Sequence, residues 1–167
     1  GTKAVNALSG YFKIESVRDG QMKRAEFDRG VLRKDEKLVK TDESNGTRVV
    51  FEPDAEMFKS YQFRTQHIER LLWNYCYLNT GLAIYFNGQK YQSKNGLLDL
   101  LEVKMDGDPL YPIIHLKGND IEVAITHANH YGEEYYSFVN GQHTTQGGTH
   151  QGAFREEVTK TKKDYFK

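Results

Sequence analysis

From Phe12 onward the chain alternates. Phe12, Ile14 and Ser16 fall on one side of an extended backbone and Lys13, Glu15 and Val17 on the other, with Arg18 at the end. Strict alternation of this kind predicts a half-buried strand. Asp19-Gly20 is a tight-turn dipeptide, so Met22–Phe27 is expected to return as a second strand. Gly30 to Lys40 reads as a third, more polar excursion. Asn45-Gly46 marks another turn, and Thr47–Phe51 is a β-rich run that Pro53-Asp54 closes. Ahead of this sheet, Thr2–Ser9 is small and helix-compatible, with Gly10 placed to end it.

The period then changes. Ile68, Leu71, Leu72 and Tyr75 recur at helical spacing, which predicts a helix over Thr65–Leu78 that exits through Asn79-Thr80-Gly81. Leu82–Phe86 and Gln89–Tyr91 form a hairpin around Asn87-Gly88, and Ser93 is placed to cap a short helix carrying Leu97, Leu98, Leu100 and Leu101. Lys104–Pro112 is irregular and is the best place for a domain junction. Strands are expected at Tyr111–Leu116, Ile121–His127 and Glu133–Asn140, then a final helix from the Gln146–His150 turn to Lys167, capped by Thr149 and carrying Phe154, Val158, Thr161 and Tyr165 near one face. No internal repeat or low-complexity tract interrupts the 167 residues, a length that fits one domain or two small ones.

Composition narrows the function classes. Lys+Arg and Asp+Glu are 23 each, so the overall basicity of a typical nucleic-acid-binding domain is missing, although a local basic patch remains open. The single cysteine, Cys76, excludes an intramolecular disulfide framework and a zinc ribbon, and its apolar neighbours Leu71–Leu78 suit a buried, inert thiol. There is no run of the roughly 20 apolar residues a membrane helix needs and no signal-peptide pattern. A soluble chain of a reducing, cytoplasmic compartment is therefore expected, without membrane contact.

Candidate chemistry is sparse. His127 and His130, and His143 and His150, lack the spacing and co-ligands of a zinc site, so solvated or hydrogen-bonded histidines are expected and no metal. Neither a nucleophile elbow nor a Walker phosphate loop is present. Gln146–His150 and Gly1-Thr2-Lys3 are turns that open helices and could offer amides to an anion. Residue patterns alone reach an α+β chain without an activity.

Five ordered motifs go further. They are Gly1-Thr2-Lys3-Ala4-Val5-Asn6-Ala7-Leu8-Ser9; Arg18-Asp19-Gly20; Gly46-Thr47-Arg48-Val49-Val50-Phe51 with Pro53-Asp54; Leu78-Asn79-Thr80-Gly81; and Ser137-Phe138-Val139-Asn140 with Thr144, Gly147-Gly148-Thr149-His150, Gly152 and Phe154. Together they span nearly the whole chain and resemble the B subunit of bacterial type IIA DNA topoisomerases. The opening run and Ser93–Leu101 look more like the topoisomerase IV form of that protein than like the gyrase form.

That resemblance implies an α+β chain: the second half of a GHKL-type ATPase α/β sandwich over residues 1–102, followed by the first part of the transducer domain over residues 103–167. It also implies a fragment of a longer subunit. The Glu that activates water, the Asn that holds Mg²⁺ and the Asp that reads adenine would precede Gly1, and the Lys that reaches the γ-phosphate would follow Lys167. No catalytic residue and no metal ligand is therefore expected among residues 1–167. Four positions match the family's ATP-site motifs: Gly1 as a lid glycine facing the phosphates, Thr47 in the adenine network, Val49 as an apolar wall, and Arg18 at the pocket mouth where aminocoumarin-type inhibitors dock. The cofactors implied for the whole subunit are ATP and Mg²⁺. The partners implied are the topoisomerase A subunit, DNA, and a second copy through the ATPase region. Lys160, Lys162, Lys163 and Lys167 make the last helix end basic, which suits either the helix dipole or weak phosphate contact.

Overall fold

The computed structural model describes residues 1–167. They form two compact units, Gly1–Phe63 and Arg64–Lys167. Both mix helices with antiparallel strands, as the α+β reading requires.

The first unit holds α1 (Thr2–Ala7), β1 (Ser9–Arg18), β2 (Gln21–Asp28), β3 (Val31–Asp35), β4 (Val39–Lys40) and β5 (Gly46–Pro53). The sheet order is β3-β2-β1-β5, with β4 also paired to β2. The Asp19-Gly20 turn, both residues at positive φ, closes the hairpin on the Arg18↔Gln21 pair, and this fixes Glu15 opposite Arg24 and Phe12 opposite Phe27. On its other side β1 aligns Ser16 with Thr47, Glu15 with Arg48 and Ile14 with Val49. Gly10 does not end α1. The helix stops at Ala7 with Leu8 as its cap, and Gly10 lies inside β1, where the register with β5 shifts between Ser9 and Tyr11.

Directly paired antiparallel residues share a face, and successive residues alternate between faces. One face of the sheet therefore carries Phe12, Ile14, Ser16, Ala25, Phe27, Thr47, Val49 and Phe51; the other carries Lys13, Glu15, Val17, Met22, Arg24, Arg48 and Val50. Phe12 is 2% exposed and meets Phe27 edge-on at 6.0 Å. Val49 and Phe51 on the same face stay 43% and 42% exposed, with Phe63 edge-on to Phe51.

The second unit holds α2 (Thr65–Leu78), β6 (Ile84–Phe86), β7 (Gln89–Tyr91), α3 (Leu97–Lys104), β8 (Ile114–Lys117), β9 (Glu122–Ile125), β10 (Phe138–Val139), β11 (Gln142–His143) and α4 (Thr149–Tyr165). Its strands form three separate two-stranded hairpins. The buried stripe of α2 is rotated from the predicted one: Leu71 and Tyr75 are exposed, whereas Cys76 and Tyr77 are buried. The aromatic interior explains the rotation. Trp73 stacks on Tyr77 at 5.4 Å and meets Tyr91 edge-on at 5.5 Å, and the Tyr91 hydroxyl donates to Glu69.

Ser93 does not cap α3, whose N-cap is Gly96 without a side-chain cap bond; the Ser93 Oγ sits three residues earlier, accepts the Gly96 N–H and donates to Asp99. Asp99 also accepts the Lys94 and Asn95 amides and the Asn95 side chain, so one carboxylate organises the whole entry turn. Thr149 does not cap α4; it is the first helical residue, Gly148 precedes it, and no side chain caps the end. The predicted strand over Glu133–Asn140 shrinks to Phe138–Val139. Gly132 at φ 112° and local Tyr135–Glu133 and Tyr136–Glu134 hydrogen bonds divert the chain before it.

Candidate functional site

Three of the four residues singled out in the sequence lie on one face of the first sheet. Thr47 and Val49 are successive same-side positions of β5, opposite Ser16 and Ile14, and Arg18 continues that side of β1 beyond Ser16. Thr47 is exposed and its hydroxyl can both donate and accept. Val49 extends an apolar strip with Ile14 and Phe12. Arg18 is 87% exposed and approaches only Asp19, at 3.7 Å. A pair of reciprocal bonds steadies this end: the Asp19 amide donates to Asn45 Oδ1 and Asn45 Nδ2 donates to Asp19 Oδ1. The turn before β5 is thus tied to the turn after β1, beside Thr47.

Gly1 stands at the other end of the unit. Its carbonyl accepts the Ala4 and Val5 amides and so starts α1; nothing lies within 4 Å of where a Cβ would be. It is not brought together with Thr47, Val49 and Arg18 by any direct contact. The six residues of α1 have no side-chain cap.

The reverse face holds a charged rung that the motifs do not single out. Glu15, 3% exposed, receives Arg24 Nε at 2.6 Å and Arg48 Nη1 at 2.9 Å, with Lys13 Nζ at 3.5 Å. Burial alone would raise its pKa, but the hydrogen bonds from Arg48 and Arg24 outweigh that and hold it below the usual carboxylate range. A cleft of about 140 Å³ opens beside this rung, with Met22, Glu43, Ser44, Gly46 and Thr47 in its walls. Nucleotide-sized pockets run to several hundred Å³. This cleft is therefore too small for a nucleotide, and the open Thr47 face encloses none by itself. The turn register already implies the Glu15–Arg24 pair; Arg48 joins it only once β5 is aligned.

A second buried carboxylate belongs to the Pro53-Asp54 pair, which the sequence marks as a strand stop but not as an ion-pair partner. Asp54, at the exit of β5, takes a two-pronged contact from Arg29: Nε to Oδ2 at 2.6 Å and Nη2 to Oδ1 at 3.2 Å. That contact, reinforced by the Glu56 amide, lowers the Asp54 pKa, and the same carboxylate raises that of Arg29.

Two histidines of the second unit have ordinary hydrogen-bond partners, whereas the buried Nε2 of His150 has none. His127 Nδ1 pairs with the Tyr111 hydroxyl and His115 Nε2 with Glu122 at 2.8 Å. No three His, Cys, Asp or Glu side chains converge in a metal-binding group. No helix is long and apolar enough to cross a membrane.

The DNA gyrase B family model matches residues 81–167, just over half of the chain. The B subunit of DNA topoisomerase 4 from Borreliella burgdorferi is 44% identical over 169 residues, covering 100% of this chain and 28% of that protein. The DNA gyrase B subunit of Helicobacter pylori is 31% identical over 181 residues, covering 99% and 23%. That of Streptococcus pyogenes is 31% identical over 182 residues, covering 100% and 28%. The chain thus spans between 23% and 28% of these relatives' length. Among solved structures, the 43K ATPase domain of Thermus thermophilus gyrase B in complex with an aminocoumarin superposes with a TM-score of 0.76 at 30% identity, covering 90% of this chain and 45% of that one.

Proposed function

Because the chain belongs to the DNA gyrase B family, we propose that it is a section of the ATP-hydrolysing subunit of a type II DNA topoisomerase. Identity of 44% to a topoisomerase IV protein against 31% to gyrase proteins favours the topoisomerase IV branch, whose whole-protein activity is ATP-dependent strand passage. In this reading residues 1–102 are the C-terminal part of the ATPase domain and residues 103–167 the N-terminal part of the transducer. The subunit acts in the cytoplasm with the A subunit, DNA and a second copy of itself.

The observation that carries the reading is the shared face. Residues 18, 47 and 49 are scattered in sequence, yet pairing to β1 aligns them as a hydroxyl, an apolar wall and a cation on one surface. An adenine edge needs a group that both donates and accepts, and an apolar contact for its ring. Thr47 and Val49 supply these, Arg18 supplies charge at the rim, and Gly1 is the lid glycine turned toward phosphate. Mg²⁺, when bound in the whole subunit, neutralises phosphate charge; its ligands lie outside residues 1–167.

Thr47→Val tests the site. It keeps the shape and removes one hydrogen bond worth about 1 kcal/mol, so affinity of the full-length subunit for a non-hydrolysable ATP analogue should fall roughly fivefold. An unchanged dissociation constant overturns the assignment. The 167-residue chain alone is expected to show no ATP turnover, since the water-activating Glu belongs to another part of the subunit. Multiple turnovers above background would refute this.

A further inference from the structure

We infer that Asp54 is a positioning residue that sets the direction of α1, and with it the Gly1 turn, relative to the strand that carries Thr47; the inference rests on the nucleotide-site reading above. Asp54 joins the end of α1 to the sheet through both its backbone and its side chain. Its amide donates to the Leu8 carbonyl at the end of α1, and its own carbonyl accepts the Met57 and Phe58 amides. Its carboxylate, 4% exposed, grips Arg29 and accepts the Glu56 amide. Arg29, a non-glycine residue held at φ 49°, donates its amide to the Ser9 carbonyl. Ser9 in turn donates its hydroxyl back to Val5 inside α1. Gly30, next to Arg29, brings its backbone so near Ala7 of α1 that a Cβ would sit 3.4 Å from the Ala7 Cα.

The C-terminal end of α1 is therefore fixed on three sides. Its N-terminal end is not: Gly1, Thr2 and Lys3 are exposed and no side chain caps them. A short rod held at one end and free at the other can turn only about the held end. Asp54 is that pivot, and it also terminates the strand on which Thr47 and Val49 stand. Contact of a phosphate with the Gly1 turn and contact of a base with β5 are thereby referred to one carboxylate. The positive φ of Arg29, with Gly30 at φ 80°, is that of the two-residue turn that closes β2 on β3, and this turn aims the Arg29 side chain and amide at Asp54 and Ser9.

The test separates pivot from simple fold support. Asp54→Asn keeps size and removes the charge that grips Arg29. Amide hydrogen exchange on the 167-residue variant should accelerate about tenfold at Ala4, Val5 and Leu8, with the β1–β2 hairpin unchanged. Arg29→Lys, which keeps the charge but not the two-pronged contact, should give the same pattern at smaller size, and it serves if Asp54→Asn fails to fold. In the full-length subunit Asp54→Asn should raise the KM for ATP about fivefold with kcat within about twofold. Uniform acceleration across residues 1–63, or no change in α1, overturns the inference. Thr47→Val with unchanged nucleotide affinity would instead sink the site reading and leave the α1 exchange result standing, so the two failures are told apart.

Discussion

Gly96 is the position where a single methyl group should do the most damage. It caps α3 at φ 61°, ψ −120°, a backbone that residues with a Cβ avoid. It is also enclosed: an added Cβ would lie 2.5 Å from Thr80 Oγ1 and 3.1 Å from the Tyr77 carbonyl. Two terms add. The backbone conformation costs about 1–3 kcal/mol for alanine, and forcing a methyl into occupied space costs about 1–3 kcal/mol more. The stiffer unfolded chain returns about 0.4–1 kcal/mol. A net loss near 3 kcal/mol corresponds to a melting-temperature drop of roughly 12 °C or more for a unit of this size. Gly88→Ala is the control. Its φ is similar at 80°, but nothing lies within 4 Å of its Cβ, so only the backbone term of about 1 kcal/mol applies. Thermal unfolding of both variants by circular dichroism gives the difference. Adding Thr80→Ala to Gly96→Ala should restore part of the loss, because it removes the nearest obstructing atom. If Gly96→Ala melts no lower than Gly88→Ala, or if Thr80→Ala restores nothing, the close packing of the α2 exit on the α3 entry is wrong.

Two further outcomes follow from the buried groups. Glu15 and Asp54 are held below their ordinary values of 4.5 and 3.8, so the unfolded chain binds more protons than the folded one at acid pH. Stability of the first unit should be fully present above those ordinary values and decline as pH falls through and below them; Glu15→Gln should flatten the slope of the urea midpoint against pH, and an unchanged slope would count against the ionic rung. Cys76 is fully buried and burial raises its thiol pKa, so a thiol reagent should label it only in step with global unfolding; rapid labelling in native buffer would show that the α2 interior opens locally.

How much of this was legible in the sequence depends on how local each cause was. Turn dipeptides at Asp19-Gly20 and Asn87-Gly88 set hairpin registers within a few residues, and the bounds of α2 coincide with the helical period over Thr65–Leu78. What a helix or strand faces was less legible. The α2 stripe turned because the Trp73, Tyr77 and Tyr91 rings pack together, a choice made by a strand that comes after the helix. Glu133–Asn140 has the composition of a strand but finds a ladder partner for two residues only. The Thr47 and Arg18 positions came from motif resemblance, not from periodicity, and only the sheet register put them on one face. The Arg29–Asp54 grip joins residues 25 apart in sequence through a turn and a strand exit, and no spacing rule anticipates that.

The edge position of β5 has a colloidal consequence. A strand bonded on one side only presents free amides and carbonyls to any other extended chain. Around Arg48, β5 runs Thr47, Val49, Val50 and Phe51, the composition from which sheet-to-sheet stacking grows. Arg48 interrupts that run, and Glu15 keeps its guanidinium anchored at the strand, so a chain adding to this edge meets a charged side chain in the middle of the apolar run. The same ion pair that joins β5 to its neighbour thus guards the open edge against fibre-like self-addition.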